Sequence, residues 1–370
     1  MGVLSSNDGC FVARSQEVKD LGIPMGAPAF IHKQTIIRND IVLFSSNFAL
    51  YGDMSHRVTQ TLRTFGYPIE VYSIDESFLS VDAAFDPNHL MKRVLQWTGI
   101  PVTCGVGPTK TLAKVATKIG KKTKQPLIFT KHTDADPYLK KLASTDIWGI
   151  GRRIGTRLLS FGIETAYQLK YANQEFIKKE FSVTTLKTVL ELHGQDCLQL
   201  EERYDPKKSI TCSRSFGKPI STLPELESAV STFAARVGEK LRRENSMARF
   251  LLVYTPEASA QTLLPNHTAD SRLLIAHAKE LLVTFYTKEA VYKKAGVIVS
   301  DIVSAAAAQT DLFTKARDTK AVQVMDRINA RFGSKKMYYA AEGISKTWSS
   351  KQNFISKRFT TSWEDLPKVK

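Results

Sequence analysis

Tyr72-Ser73-Ile74-Asp75-Glu76-Ser77-Phe78-Leu79 sets two adjacent carboxylates at the tip of what reads as a β-hairpin. Apolar residues lead in through Ile69, Val71 and Ile74 and out through Phe78, Leu79 and Val81, so Asp75 and Glu76 stand where two buried strands meet. Two carboxylates side by side repel unless a cation or hydrogen-bond donors hold them. A hard divalent ion such as Mg²⁺ takes one or two carboxylates together with substrate phosphates, which makes the tip a candidate metal site. An ordinary acidic turn presents the same pair, and the dipeptide alone does not separate the two readings.

Upstream, Val58, Leu62 and Phe65 follow Met54 at helical spacing. Downstream, a helix is expected over 86–97 and a strand over Val102-Thr103-Cys104-Gly105-Val106-Gly107. Strand and helix alternating around an acidic hairpin describe an α+β sheet domain ending near residue 145. The run Lys110-Thr111-Leu112-Ala113-Lys114 begins a helix just after the Gly105–Gly107 turn. Helix N-terminal amides favour phosphate, and lysines one turn apart add charge on the same face. A triphosphate site is one reading and a solvated basic helix the other; the glycine spacing is not that of a Walker A loop.

Trp148-Gly149-Ile150-Gly151-Arg152-Arg153, with Leu158 and Gly162-Ile163 beyond it, has the form of a helix-hairpin-helix element. Such an element holds a DNA phosphate through backbone amides without reading a base, and a plain joint between helices is the alternative. A polar linker is expected from Glu201 to Ser209. Strands at Ser209–Phe216 and Arg249–Tyr254, with helices over 224–243 and 268–286, then describe a second α+β domain. The remainder reads as a partly mobile tail, in which Gln309-Thr310-Asp311-Leu312-Phe313 carries the apolar anchors of a short docking peptide.

The balance of 52 Lys+Arg against 36 Asp+Glu gives a 370-residue chain a net charge of +16 and points to a polyanionic partner such as nucleic acid. Cys10, Cys104, Cys197 and Cys212 are too scattered for a zinc ribbon or a disulfide framework, which fits a reducing cytoplasm. No apolar run approaches the roughly 18 residues of a membrane span.

Taken together and in order, these pieces resemble a Y-family translesion DNA polymerase of the UmuC type. The resemblance is carried by Ser6-Asn7-Asp8-Gly9-Cys10, Phe44-Ser45-Ser46-Asn47, Tyr51-Gly52-Asp53-Met54-Ser55, the Asp75-Glu76 hairpin, Lys110–Lys114, Trp148–Arg153 and Cys212-Ser213-Arg214-Ser215-Phe216-Gly217. It implies an α+β multi-domain right-hand polymerase: fingers at 1–46, palm at 47–145, a helix-hairpin-helix thumb at 146–202, a linker at 203–208, a little finger at 209–303 and a tail at 304–370. It also implies that Asp75 and Glu76 bind two Mg²⁺ ions and that Lys19, Lys110 and Lys114 hold the triphosphate of the incoming dNTP. Gly149, Gly151, Arg152 and Arg153 are expected on primer-template DNA, and Gln309, Leu312 and Phe313 on a sliding clamp. A UmuD-type partner and a RecA-type filament follow from the same resemblance.

Family members begin with a palm strand that bears a further metal-binding aspartate and an aromatic residue excluding the ribose 2′-hydroxyl. Met1 to Asn7 aligns inside the usual protein, so the first palm strand is expected to be missing here. Two functions follow: error-prone synthesis past damaged bases in SOS repair, or a catalytically inactive DNA- and clamp-binding remnant of such an enzyme.

Overall fold

Ile69–Val71 and Ser77–Leu79 form the expected antiparallel hairpin, with Val71 opposite Ser77 and Phe78 opposite Glu70, and Asp75 and Glu76 lie in its tip. The computed structural model describes residues 1–201, 205–309, 320–333 and 336–368. The chain divides into two units, Met1–Asn47 with Asp205–Lys357, and Phe48–Tyr204 with Arg358–Lys370.

The second unit carries the hairpin. Leu62 of the helix Phe48–Arg63 packs with Leu90 and Val94 of the helix Pro87–Thr98, whose start Asp86 caps through the Asn88 amide. Gly105–Val106 pairs in parallel with Leu127–Ile128, and the helix Lys110–Thr123 lies against that pair. Among the described residues the hairpin and the Gly105–Val106 pair remain separate two-stranded sheets. Neither Ser77–Leu79 nor Gly105–Val106 has a second strand beside it there. The expected strand over 102–107 accordingly shortens to Gly105–Val106.

A larger core joins Leu112, Val115 and Ala116 of the Lys110–Thr123 helix to Leu158, Leu169, Ile177, Val189 and Leu192 from the helices Arg152–Ser160, Ala166–Lys170, Gln174–Glu180 and Val183–Leu192. Within it Lys170 is wholly buried, and its ammonium donates to the Asp136 carboxylate at 2.6 Å and the His132 carbonyl at 3.0 Å.

Among the described residues the first unit has two sheets. Gly2–Leu4 runs antiparallel to Phe11–Arg14 and parallel to Leu43–Ser45, around a small core of Leu4, Phe11, Val18, Ile23, Ala27 and Ile41. The second sheet is wholly antiparallel, in the order Ser259–Thr268, Ser246–Tyr254, Tyr292–Ser304, Ser209–Ile220. The helices Leu223–Arg243 and Ser271–Phe285 bury Leu226, Val230, Phe233, Val237, Leu274 and Leu282 in one core with that sheet.

Described parts of the segment read as a partly mobile tail are packed. The helix Lys320–Phe332 is held by paired hydrogen bonds from Arg242 to Asp326 at 2.6 and 2.9 Å, and Trp348 is buried against Phe216 and Phe233. Tryptophan buries a large apolar surface, and its indole N–H has a partner here in Ser228 Oγ, which is why this stretch packs.

Candidate active site

Thr109 begins the helix Lys110–Thr123: its Oγ1 accepts the Leu112 amide at 3.3 Å and donates to the Glu191 carbonyl at 2.9 Å. The Glu191 side chain is itself fully buried at the same helix end. One of its oxygens accepts the Thr111 amide at 2.9 Å, and the other accepts the amides of Cys197 at 2.9 Å and Leu198 at 3.1 Å. The partial positive charge of the helix start is therefore met by an internal carboxylate. Thr111 and Leu112 have their amides satisfied inside the protein, so the phosphate reading of this helix end does not hold for them. The preceding glycines serve packing instead. A Cβ on Gly107 would stand 2.8 Å from the Ala113 nitrogen, so only glycine lets the strand end lie on the helix.

The two lysines one turn apart each meet an acid from the hairpin. Lys114 forms an ion pair with Glu76. Lys110 donates to Glu70 at 2.5 Å and to the Gln199 carbonyl at 2.8 Å, and Glu70 also accepts the Glu201 amide at 2.8 Å. With 12% of its side chain exposed, Lys110 is committed to this internal set of partners, while Lys114 stands at the carboxylate tip. At that tip Ser73 Oγ donates to Asp75 at 2.7 Å, and the Ser73 amide donates to the Glu76 carbonyl at 3.0 Å. Tyr72 and Phe78 contact the Trp148 ring at centroid distances of 5.4 and 5.6 Å, joining the hairpin to the glycine-rich element.

Asp75, Glu76 and Lys114 open onto a cleft of about 760 Å³ between the two short sheets. Its walls include Tyr51, Val58, Phe78, Val102, Cys104 and Lys121. Lys121 was not singled out in the sequence, where it sits in a basic run. Its spacing of seven residues from Lys114, two helical turns, is the signal that puts both on one face. Burial pushes the Cys104 thiol up to about 11.

Asp75 and Glu76 suit one hard divalent ion that completes its shell with phosphate oxygens and water. Among the described residues no group of three or more His, Cys, Asp or Glu side chains could hold a metal.

The Gly149-Ile150-Gly151 turn lies between the short 3₁₀ turn Ser144–Asp146 and the helix Arg152–Ser160. Gly149 is left-handed at φ +88°, Ile150 is buried, and Gly151 precedes the helix Arg152–Ser160. No atom lies within 4 Å of where a Gly151 Cβ would be, so this helix start is open to approach, and Arg152 and Arg153 are exposed beside it. Lys19, on the short helix Gln16–Asp20, belongs to the other unit, so the cluster above is built without it. Gln309 is exposed, whereas Leu312 and Phe313 lie outside the described residues.

Comparison with known proteins places this geometry in a family. The impB/mucB/samB family model matches residues 1–118, its C-terminal domain model matches 207–312, and a model described as "Domain of unknown function (DUF4113)" matches 319–369. Protein UmuC of Salmonella typhimurium is 38% identical over 100% of this chain and 93% of its own length. Protein MucB of Escherichia coli is 35% identical over 99% and 93%, and a DNA polymerase IV of Desulfatibacillum aliphaticivorans is 24% identical over 89% and 87%. A solved chimera of Y-family DNA polymerases shares the fold, with a TM-score of 0.62 at 19% identity over 80% of this chain and 88% of that one. These relatives, with the shared fold, define a Y-family DNA polymerase. Within that class the chain belongs to the UmuC-type impB/mucB/samB family. No helix among the described residues is long and apolar enough to cross a membrane.

Two outcomes test the site as described. Lys110→Met strands Glu70 as a nearly buried charge and should lower the unfolding free energy by about 3–5 kcal/mol; adding Glu70→Gln should recover most of it. Additive losses in urea titrations would deny the coupling. Cys104, whose thiol burial keeps in its neutral form, should be alkylated more slowly by iodoacetamide in the folded chain than after unfolding. Equal rates would show the thiol to be neither buried nor shifted.

Proposed function

We propose that this chain carries out template-directed DNA synthesis past damaged bases, by attack of a primer 3′-hydroxyl on the α-phosphorus of a deoxynucleoside triphosphate, with pyrophosphate leaving. The observation that carries the reading is the paired Asp75-Glu76 tip with Lys114 ion-paired to it at the mouth of the cleft.

Mg²⁺, when bound by Asp75 and Glu76, supplies the positive charge that lets phosphate oxygens approach the carboxylates. Lys114 releases Glu76 and turns its ammonium to the triphosphate, so a cation stays beside the negative charge that builds on the leaving phosphate. Lys121, two turns along the same helix, extends the positive wall of the cleft, and Lys19 is proposed as a further triphosphate contact. Catalysis then comes mainly from positioning and charge stabilisation. Gly149 and Gly151 bring backbone amides to a DNA phosphate, with Arg152 and Arg153 adding charge that is indifferent to sequence. Lys110 keeps Glu70 and the Gln199–Glu201 backbone together rather than touching nucleotide.

The cleft lies between two sheets whose facing strands lack second neighbours among the described residues. This supports a palm completed by one more strand, the one that carries a further metal-binding aspartate in the family. The wider assembly proposed with this function is cytoplasmic. It includes a second Mg²⁺, a sliding clamp reached through Gln309, Leu312 and Phe313, a UmuD-type partner and a RecA-type filament.

Primer extension on undamaged and abasic templates tests the reading, using this chain and a version with a family-type strand fused ahead of Met1. Both should incorporate nucleotide, the fused version faster, and Asp75→Ala should abolish incorporation in each. Lys114→Ala should raise the nucleotide KM at least tenfold, whereas the Lys110→Met/Glu70→Gln pair should leave it within about twofold, since about 1.4 kcal/mol of lost contact corresponds to each factor of ten. DNA binding without incorporation by either version would leave the inactive remnant as the correct account.

A further inference from the structure

Three sequence motifs are left unused by the catalytic reading: Ser6–Cys10, Phe44–Asn47 and Cys212–Gly217. All three meet one segment, residues 348–356, within the first unit. Asn7 and Asp8 are both left-handed, at φ 62° and 53°, so consecutive side chains of this turn project from unusual backbone. Asn7 donates its amide N–H to the carbonyls of Ser215 and Phe216 at 3.2 Å each, and its Oδ1 accepts the Lys351 amide at 2.9 Å. Asp8 accepts the Asn353 amide at 2.8 Å and the Ser45 hydroxyl at 2.5 Å. Ser45 in turn accepts the Phe354 amide at its hydroxyl, donates its own amide to the Phe354 carbonyl, and forms a parallel bridge with Ile355. Asn47 bonds Ser356, and Gln352 bonds the Ser46 carbonyl.

The same segment is fixed to the antiparallel sheet domain. Trp348 is 5% exposed between Phe216 and Phe233, and its carbonyl accepts the Gly217 amide at 3.1 Å. The Ser350 hydroxyl donates to the Ser215 carbonyl. A Cβ on Gly217 would collide with the Ser349 carbonyl, so glycine is what admits the segment at this point of the strand.

We propose that residues 348–356, inside the region matched by the model of unknown function, are a strap bound in cis. Its seat is the Asn7-Asp8 turn with Ser45–Asn47 on the N-terminal lobe, and Ser215–Gly217 on the sheet domain. The segment is held mainly by side-chain amide, carboxylate and hydroxyl groups that accept its backbone N–H groups. The strap makes the N-terminal lobe and the sheet domain one mechanical body. On the polymerase reading, which this inference extends without relying on activity, the lobe expected to cover the nucleotide and the domain expected to hold the duplex then move together.

Hydrogen exchange by mass spectrometry on the full chain tests this with two independent variants, Asn7→Ala/Asp8→Ala and Gly217→Val. In the unaltered chain the amides of Ser45, Gly217, Lys351, Asn353 and Phe354 should be protected. Each variant should speed exchange over 351–354 at least tenfold, while the strands Ser246–Tyr254 and Tyr292–Ser304 keep their protection. A protease site inserted after Gly333 gives the second readout. After cleavage the piece carrying the strap should co-elute with the remainder, and should elute apart from it in either variant. Exchange over 351–354 as fast as in a free peptide in the unaltered chain, or unaffected by both variants, would overturn the strap. Retained protection in the two reference strands separates that outcome from unfolding, and neither readout depends on nucleotide incorporation.

Discussion

A single buried carboxylate holds the unit that carries the Asp75-Glu76 hairpin in register. Glu191 sits at the N-terminus of the Lys110–Thr123 helix and takes amides from Thr111, Cys197 and Leu198 at once. A buried ionised group is tolerated only when its lone pairs are satisfied, and here backbone donors and the helix dipole satisfy them. The consequence is geometric. With its first turn pinned to the end of the Val183–Leu192 helix, the Lys110–Thr123 helix cannot slide, and the lysines it carries are presented to the hairpin at fixed heights.

Those lysines divide the electrostatic work. The Lys110–Glu70 pair is almost fully enclosed and also gathers the Gln199 and Glu201 backbone, so its charges compensate each other with no surplus for a ligand. The Lys114–Glu76 pair is at the edge of the cleft, with 22% and 35% of the side chains exposed. Water reaches it, its net worth to stability is correspondingly small, and the two partners can be exchanged for others at little cost. The like-charged carboxylate tip thus has a lysine beside it, in an ion pair that solvent reaches. One helical turn separates a structural ion pair from an exchangeable one, and burial alone makes the difference.

Much of this was legible in the sequence where pattern and chemistry coincide. The hairpin tip shows as two acids between alternating apolar residues, and the helix Leu223–Arg243 shows as a long stripe of 3.6 period. Gly149 and Gly151 sit where a left-handed turn and an open helix start are needed. What was illegible depends on partners distant in sequence. Nothing around Lys110 announces Glu70 or Gln199, and a helix N-terminus looks equally ready for phosphate whether or not a glutamate 80 residues away reaches it. Lys121 was hidden for the opposite reason, because a run of lysines offers no contrast by which to choose one.

The C-terminal region illustrates the same limit from the side of packing. Its composition between 336 and 357 is polar and turn-rich, which reads as a tail, yet one tryptophan and a row of amide-accepting side chains elsewhere in the chain determine its course. Two of the receiving positions carry local oddities that the strap contacts: consecutive left-handed non-glycine residues at Asn7 and Asp8, and a glycine within the long strand Ser209–Ile220 at Gly217. Left-handed backbone at asparagine and aspartate and glycine inside a strand both cost conformational free energy, of order 1 kcal/mol apiece. Such costs persist where another segment is held in return, and here the same stretch of chain meets all three. The oddities in the N-terminal lobe and the sheet domain are therefore one feature of the fold, visible in sequence as separate motifs and in structure as a single binding seat.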